Sequence, residues 1–437
     1  MTSFFRVLFR RGPAISPNQF TLRASMTAIP VALSVAAYHS TVTLRPTQAS
    51  ADEAQEFNND AHHVKNRHGK TMKYRNPHPS YTFPAPRDLF ELMWGYYTGA
   101  LNWPKPKLEQ KLVPVVEPKF LPTRTGSSKL RATWLGHACY YVEYPSGLRV
   151  LFDPVFEDCC APFSFLGFKR YTEPPCQIAD LPFVDAVVIS HSHYDHLSYP
   201  SVQDIQKHHP DAHFFVGLGL EKWFKSGGLE NVTEMDWWQE AEMTLTPQAD
   251  KGEADAKSGN SGELSGPITA RFSCLPCQHG SGRTGLDRDK TLWASWAVTS
   301  GEPAKSVWFG GDTGYRSVPK VAKSVDDYGP EFEHLPRCPQ FKQIGEKFGS
   351  FDVGFIPIGA YHPRQLFSGV HANPFDAVEI FTDTKCKKAM GIHWGTWVMT
   401  PEPVLEPPQL LREALKRKGV PETGVFDVCN IGETREF

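Results

Sequence analysis

Six consecutive residues, His191-Ser192-His193-Tyr194-Asp195-His196, hold three imidazoles and a carboxylate. Neutral imidazole nitrogen and carboxylate oxygen are the donors that a hydrolytic divalent ion such as zinc takes. In an extended segment, side chains two residues apart share a side, so His191 and His193 can reach one ion together. If the chain then turns into a helix, Asp195 and His196 fall in its first turn and address a second ion about 3.5–4 Å away. A polar loop with solvated histidines is the plainer alternative. The apolar run Asp185-Ala186-Val187-Val188-Ile189-Ser190 directly before the cluster weighs against it.

Four donors leave two such ions under-coordinated, and further donors recur at comparable places. His279 follows the strand-like run 269–274. Ser306-Val307-Trp308-Phe309 opens onto Gly310-Gly311-Asp312-Thr313-Gly314. The run 388–392 delivers His393-Trp394-Gly395, and the run 148–152 delivers Asp153-Pro154. Taken singly, Asp312 reads equally well as a turn cap and His393 as a buried structural histidine. Taken with the hexapeptide they read as a site. Side chains converging from the ends of several buried strands are what a layered α/β or αββα architecture offers, because loops at one sheet edge meet there.

The order His-x-His-x-Asp-His, then a lone His, a lone Asp and a last His resembles the metallo-β-lactamase superfamily. More narrowly, the chain is similar to the zinc-dependent phospholipases D that hydrolyse N-acylphosphatidylethanolamine. The residues carrying this likeness are Trp134-Leu135-Gly136-His137-Ala138, the stretch 189–197, and 232–238 with Asp236-Trp237-Trp238. It continues through Gly311-Asp312-Thr313-Gly314-Tyr315, Ile356-Pro357-Ile358-Gly359-Ala360-Tyr361, Ile392-His393-Trp394-Gly395-Thr396 and Leu405-Glu406-Pro407-Pro408. A weaker likeness starts near Tyr74-Arg75-Asn76-Pro77. The hexapeptide alone specifies only the broad superfamily, and the combined set specifies the lipase-like branch.

The resemblance implies an α/β fold, a metallo-β-lactamase-like four-layer αββα sandwich, with two Zn2+. It assigns His191, His193 and His279 to one ion, Asp195, His196 and His393 to the other, and Asp312 to a bridge between them. Two cations sharing a water lower its pKa toward neutrality, giving a hydroxide nucleophile without a strong protein base. Asp195 and Asp312 would orient that nucleophile, and Asp153 would fix the tautomer of a ligand histidine. Tyr194 and His371 are implied as substrate contacts. One departure stands out: the animal enzymes have Ala-Tyr-Glu-Pro-Arg where this chain has Ala360-Tyr361-His362-Pro363-Arg364, which puts head-group preference in doubt. Lys169, Arg170 and Arg283 are further candidates for attracting a phosphate, against the plainer reading as solvated basic surface. The implied partners are a membrane phospholipid substrate and a membrane surface, and a homodimer is compatible with the reading. A lactonase or thioesterase on the same scaffold, or a non-catalytic metal-stabilised lipid-binding protein, are the competing functions.

Composition narrows the field less. The 437 residues suffice for one catalytic domain (126–437) of roughly 300 residues with a preceding extension (51–125). A formal net charge of -2 offers no electrostatic footprint for nucleic acid. Nine cysteines without regular paired spacing do not read as a secreted disulfide framework, and Cys274-Leu275-Pro276-Cys277 has the spacing of a redox pair or an extra ligand set but, without a second C-x-x-C, reads as having no such role.

Residues 1–50 contain Arg6, Arg10, Arg11, Arg23 and Arg45 but no Asp, Glu or Lys, with Phe4, Phe5, Val7, Leu8 and Phe9 among the first arginines. That is the composition of a mitochondrial transit peptide, and the reading places the protein at the mitochondrial inner membrane. The apolar run 24–38, interrupted by Pro30, is short for a span, so it serves as a weak anchor or as the tail of the presequence. No residue before Asp52 is expected in the catalytic fold. The proline-rich stretch 77–86 leads to an aromatic segment, 87–97, readable as an interfacial helix or as an internal packing helix. The Gly/Ser/charge-rich stretch 248–267 is expected to be a flexible insertion.

Overall fold

A computed structural model describes residues 38–45, 60–161, 167–247, 266–322 and 325–437. Most of the arginine-rich segment, and 248–265 of the expected insertion, lie outside these residues. Strand β1 (Tyr38–Arg45) is followed by a hairpin of β2 (His63–Lys65) and β3 (Thr71–Tyr74) and by helix α1 (Pro86–Thr98). Strands β4 (Arg131–Gly136), β5 (Cys139–Glu143), β6 (Arg149–Phe152), β7 (Ala186–Val188), β8 (His213–Gly217) and β9 (Val232–Met235) come next. Then follow β10 (Glu240–Pro247), β11 (Ile268–Leu275), β12 (Ser295–Ser300), β13 (Lys305–Phe309), β14 (Val353–Pro357), β15 (Ala389–Ile392), β16 (Phe426–Asp427) and β17 (Thr434–Glu436).

They form two large sheets, ordered β17-β4-β5-β6-β7-β8-β9 and β1-β10-β11-β12-β13-β14-β15-β16. Each sheet is antiparallel on one side and parallel on the other, with the change at β6/β7 and at β13/β14. Parallel neighbours need crossovers, and helices supply them. In the first sheet these are α2 (Tyr199–His208) and α3 (Glu221–Ser226). In the second they are α4 (Gln340–Phe348), α5 (Arg364–Phe367), α6 (Pro374–Asp383) and α7 (Glu406–Lys418).

Strand periodicity explains the layering. Tyr140, Val142, Val150, Phe152, Val188 and Phe215 face the other sheet, while Cys139, Tyr141, Leu151, Val187 and Phe214 face α2 and α3 with Val202, Ile205 and Phe224. Tyr140 stacks on Phe355 at 4.1 Å and Phe215 on Phe272 at 3.9 Å, so aromatic rings bridge the sheets directly. The architecture is the expected αββα sandwich.

Three local expectations change. Tyr38–Arg45 pairs along its whole length with β10, from Tyr38↔Pro247 to Arg45↔Glu240. The fold therefore begins inside the segment that composition kept out of it: an eight-residue stretch rich in β-branched residues, without Gly or Pro, completes an open sheet edge. Asp195 and His196 lie in a turn closed by His196 and Leu197 N–H groups donating to the His193 carbonyl, and α2 starts only at Tyr199 behind its Ser198 cap. Finally, Phe90, Trp94 and Tyr97 of α1 are 66%, 62% and 77% exposed, so this helix is not an internal packing element. Cys274 and Cys277 are buried free thiols. Among the described residues no helix is long and apolar enough to cross a membrane.

Candidate metal centre

Strand ends deliver the site. His137 follows β4, Asp153 follows β6, the hexapeptide follows β7, His279 follows β11, Asp312 follows β13 and His393 follows β15. His137, Asp153 and His393 all take left-handed backbone angles (φ 51, 39 and 63), a conformation that costs about 1–3 kcal/mol each for a non-glycine residue. Such a bend at the exit of a strand turns the side chain from the sheet toward the shared edge. Gly311 (φ 56) is required for the same reason, since a Cβ there would sit 2.5 Å from Ser190 Cβ.

The seven residues proposed as ligands are all brought together. His191 Nε2 lies 2.8 Å from His193 Nδ1, and His279 Nε2 lies 3.1 Å from His191 Nε2 and 3.2 Å from His193 Nδ1. Beside this triad, Asp195 Oδ2 is 3.3 Å from both His196 Nε2 and His393 Nε2. Asp312 Oδ2 stands between the groups, 3.0 Å from His393 Nε2, 3.1 Å from His196 Nε2, 3.7 Å from His279 Nε2 and 4.0 Å from His191 Nε2.

Tautomers show what these nitrogens face. His279 Nδ1 lies 2.9 Å from the Val370 carbonyl, which can only accept, so the proton is on Nδ1 and Nε2 presents a lone pair. His196 Nδ1 donates likewise to Asp153 Oδ2 at 2.6 Å. Its Nε2, together with Asp312 Oδ1 and His371 Nδ1, is buried with no hydrogen-bond partner among the described residues. Buried lone pairs converging at about the 3.3 Å edge of a tetrahedral zinc shell are stabilised by a cation among them. The residues fit divalent metal ions.

Without an ion, the charges redistribute. Burial, reinforced by neighbouring imidazoles, drives the His191 and His279 pKa values well below the usual range. Burial lowers His137 to about 3 and His371 to about 4. Burial opposes charge on His196 and His393 too, but Asp312 and Asp195 outweigh it, raising His196 strongly and His393 to about 9. Asp195 and Asp312, although buried, are held well below the carboxylate range by the same imidazoles.

The remaining candidates take varied places. Asp153 Oδ1 accepts from Ser190 N at 2.7 Å, and its Oδ2 accepts from Ser190 Oγ at 2.5 Å as well as from His196. His371 Nδ1 lies 3.9 Å from Asp312 Oδ2, its ring 5.2 Å from those of both His279 and His393. Tyr194 is half-buried beneath the Arg283 guanidinium, 4.0 Å from its ring centre. Arg283 is not free surface: it donates to the carbonyls of Ser192 (2.8 Å) and Leu197 (2.6 Å) and so brackets the hexapeptide loop. Arg170 is buried, donating to the Phe156 carbonyl and lying over Trp397, whereas Lys169 is exposed. His362, at the position that departs from the animal enzymes, faces Glu406 at 3.3 Å, so an acid does stand beside it.

Two contributors were not assigned from sequence. His137 Nε2 lies 3.0 Å from Asp195 Oδ2, with its ring 4.1 Å from that of His393. Its place after the apolar Trp134-Leu135-Gly136 run is the same signal that marked His393. Asn76 grips the His279 backbone, donating to its carbonyl at 2.7 Å and accepting from its N–H at 3.1 Å. No local pattern marks that partner, 203 residues away. Beside His137 and His393 an open cleft is walled by Tyr171, Trp394, Trp397 and Val404.

The Beta-lactamase superfamily domain model matches residues 148–330 and 321–394. N-acyl-phosphatidylethanolamine-hydrolyzing phospholipase D 1 of Caenorhabditis elegans is 38% identical over 316 residues, 71% of this chain and 76% of that protein. An uncharacterized protein of Mycobacterium tuberculosis is 34% identical over 313 residues, 70% of this chain and 69% of that protein. The mitochondrial N-acyl-phosphatidylethanolamine-hydrolyzing phospholipase D of Saccharomyces cerevisiae is 32% identical over 310 residues, 70% of this chain and 55% of that protein. With its donors gathered at the sheet edges, the chain belongs to the metallo-β-lactamase superfamily, as a metal-dependent hydrolase related to the N-acyl-phosphatidylethanolamine-hydrolysing phospholipases D.

Proposed function

We propose that the protein is a zinc-dependent phosphodiesterase that hydrolyses N-acylphosphatidylethanolamine to phosphatidic acid and an N-acylethanolamine. The observation that carries this reading is the position of Asp312, one carboxylate oxygen within 4.0 Å of ring nitrogens from both donor groups. The activity named for the Caenorhabditis elegans and yeast relatives supplies the substrate. His191, His193 and His279 would hold one zinc, Asp195, His196 and His393 the other, with Asp312 available to both. When bound, the pair of ions supplies a water acidified toward neutrality and neutralises charge developing at phosphorus.

The chain's own residues do the rest. Asp195 and Asp312 orient the attacking water through their carboxylate oxygens. Asp153 keeps the His196 proton on Nδ1, so that Nε2 remains a donor. His371 and Tyr194 contact the phosphodiester and its lipid. Water's oxygen bonds to phosphorus, the bond from phosphorus to the ethanolamine oxygen breaks, and the leaving alkoxide takes up the proton.

Product identification tests this reading. Purified full-length protein, given vesicles containing N-acylphosphatidylethanolamine, should release both products by mass spectrometry, stop on chelation and recover with added zinc. Undiminished turnover after complete metal removal sinks the mechanism, and diacylglycerol in place of phosphatidic acid sinks the bond assignment. The exposed Phe90, Trp94 and Tyr97 face of α1 supports docking at the membrane that holds the substrate. In the same assay, a Phe90→Ser/Trp94→Ser variant should lose about 10-fold on vesicles and nothing on detergent-dispersed lipid. An equal loss on both refutes docking by this helix.

We also propose a mitochondrial location, from the arginine-rich, acid-free segment 1–50 and the mitochondrial yeast relative. The targeting portion then ends before Tyr38, where β1 begins. A fluorescent fusion carrying residues 1–37 that stays in the cytosol would overturn this.

A further inference from the structure

Outside the centre described above, His62, His63 and Asp236 form a separate convergence of metal-type donors. His62 Nε2 lies 2.7 Å from Asp236 Oδ1, and His63 Nε2 lies 2.8 Å from Asp236 Oδ2. The donors come from two distant parts of the chain. His63 opens β2 with His62 just before it, and Asp236 follows β9, where the chain leaves one sheet for the other.

The surroundings suit an ion. His62 is 2% exposed and stacks on Trp237 at 4.2 Å, while His63 packs edge-on to Tyr74. Among the described residues, no lysine or arginine nitrogen lies within 4.0 Å of the Asp236 carboxylate, whose ion-pair partners are these two imidazoles. A largely buried carboxylate is costly unless a cation compensates it. His63 Nδ1 sits 2.9 Å from Thr71 Oγ1. An oxygen that accepts the far ring N–H leaves Nε2 as a lone pair and is the usual support behind a metal-bound histidine. One donor atom from each of the three residues lies within 4.8 Å of the others.

We propose that His62, His63 and Asp236 bind a third divalent ion of the zinc type, with water completing its shell on the partly exposed Asp236 side. Two imidazoles and a carboxylate are a borderline donor set, which favours zinc over calcium or magnesium. The ion ties the β2–β3 hairpin to the β9–β10 connection. Two residues beyond Tyr74, at the end of that hairpin, Asn76 grips the backbone of His279. The third ion thus steadies a ligand of the dinuclear centre without touching substrate. In the opposing arrangement both imidazoles simply donate protons to Asp236 and no ion is held.

Counting metal separates the two. Full-length protein is stripped, equilibrated with zinc-buffered solution, freed of unbound metal and assayed for zinc per chain by plasma mass spectrometry. Asp236→Asn and His63→Gln should each hold one zinc fewer than wild type. Hydrogen exchange gives a second readout: zinc should slow exchange of amides 63–76 in wild type and leave Asp236→Asn unchanged. Equal zinc counts in wild type and both variants overturn the proposal. If neither variant folds, hydrogen exchange of the wild type decides: amides 63–76 that exchange equally with and without zinc overturn the proposal. Because no substrate enters the measurement, its outcome does not depend on whether N-acylphosphatidylethanolamine is turned over.

Discussion

Asp312→Asn is expected to cost at least about 10³-fold in kcat, roughly 4 kcal/mol of barrier, while leaving the fold intact. The amide matches the carboxylate in volume, but it carries no charge and offers a single acceptor oxygen. That oxygen replaces a group now 3.0 Å from His393 Nε2, 3.1 Å from His196 Nε2 and 3.7 Å from His279 Nε2. The charged oxygen between the two donor groups is lost, and zinc bound per chain should fall with it. Turnover by mass spectrometry and zinc per chain check both statements. Activity within 10-fold of wild type would refute the bridging role.

The same variant carries a pH signature in the metal-free protein. Against the effect of burial, Asp312 together with Asp195 raises His393 from 6.5 to about 9, and the imidazoles hold Asp312 well below 3.8. A raised histidine contributes stability in full below its unfolded value and loses it as pH climbs through the folded one. A depressed carboxylate contributes in full above its unfolded value and loses it as pH falls. Their common window runs from about pH 4 to about pH 6.5, and the contribution fades as pH approaches 9. The difference in thermal midpoint between chelated wild type and chelated Asp312→Asn should be greatest in that window and shrink toward pH 9. A difference that grows with alkalinity would show the pairing to be unimportant.

Asp153→Ala should destabilise the protein by about 3–5 kcal/mol, the usual cost of removing one partner from a buried charged network. Asp153 is 1% exposed and accepts three hydrogen bonds, from Ser190 N, Ser190 Oγ and His196 Nδ1. Alanine leaves all three donors without an acceptor in a site closed to water. It also releases the His196 tautomer, so zinc affinity at the Asp195/His196/His393 position should fall about 10–100-fold. Asp153→Asn, which retains acceptor capacity, should recover part of both losses. Urea unfolding of the chelated protein and zinc titration separate the two effects, and a stability loss below about 1 kcal/mol would contradict this account.

Legibility from sequence followed the range of the interactions. The hexapeptide, Asp312 and His393 stand beside apolar strands, so a continuous apolar run and a donor at the strand exit suffice to mark them. The same signal stands at His137, where the strand run is interrupted by Gly136 just before the histidine. The expected helix under Asp195 and His196 proved to be a turn, since the Ser198 cap fixes the helix start at Tyr199. Composition marked residues 1–50 as a leader, yet Tyr38–Arg45 satisfies the open edge of β10. Edge pairing depends on a partner some 200 residues away, and local composition carries no trace of it.

Donor types, their order and the alternation of strands with helices are written in the primary structure, because apolar patterning and ligand chemistry are local properties. Packing decided how closely those donors converge, that Asp312 stands between two groups of them, and that Arg283 brackets the hexapeptide loop. It alone brought His62 and His63 to Asp236 and Asn76 to His279. Those placements depend on how two sheets stack and where their edges meet, and that geometry is set by packing across the whole core.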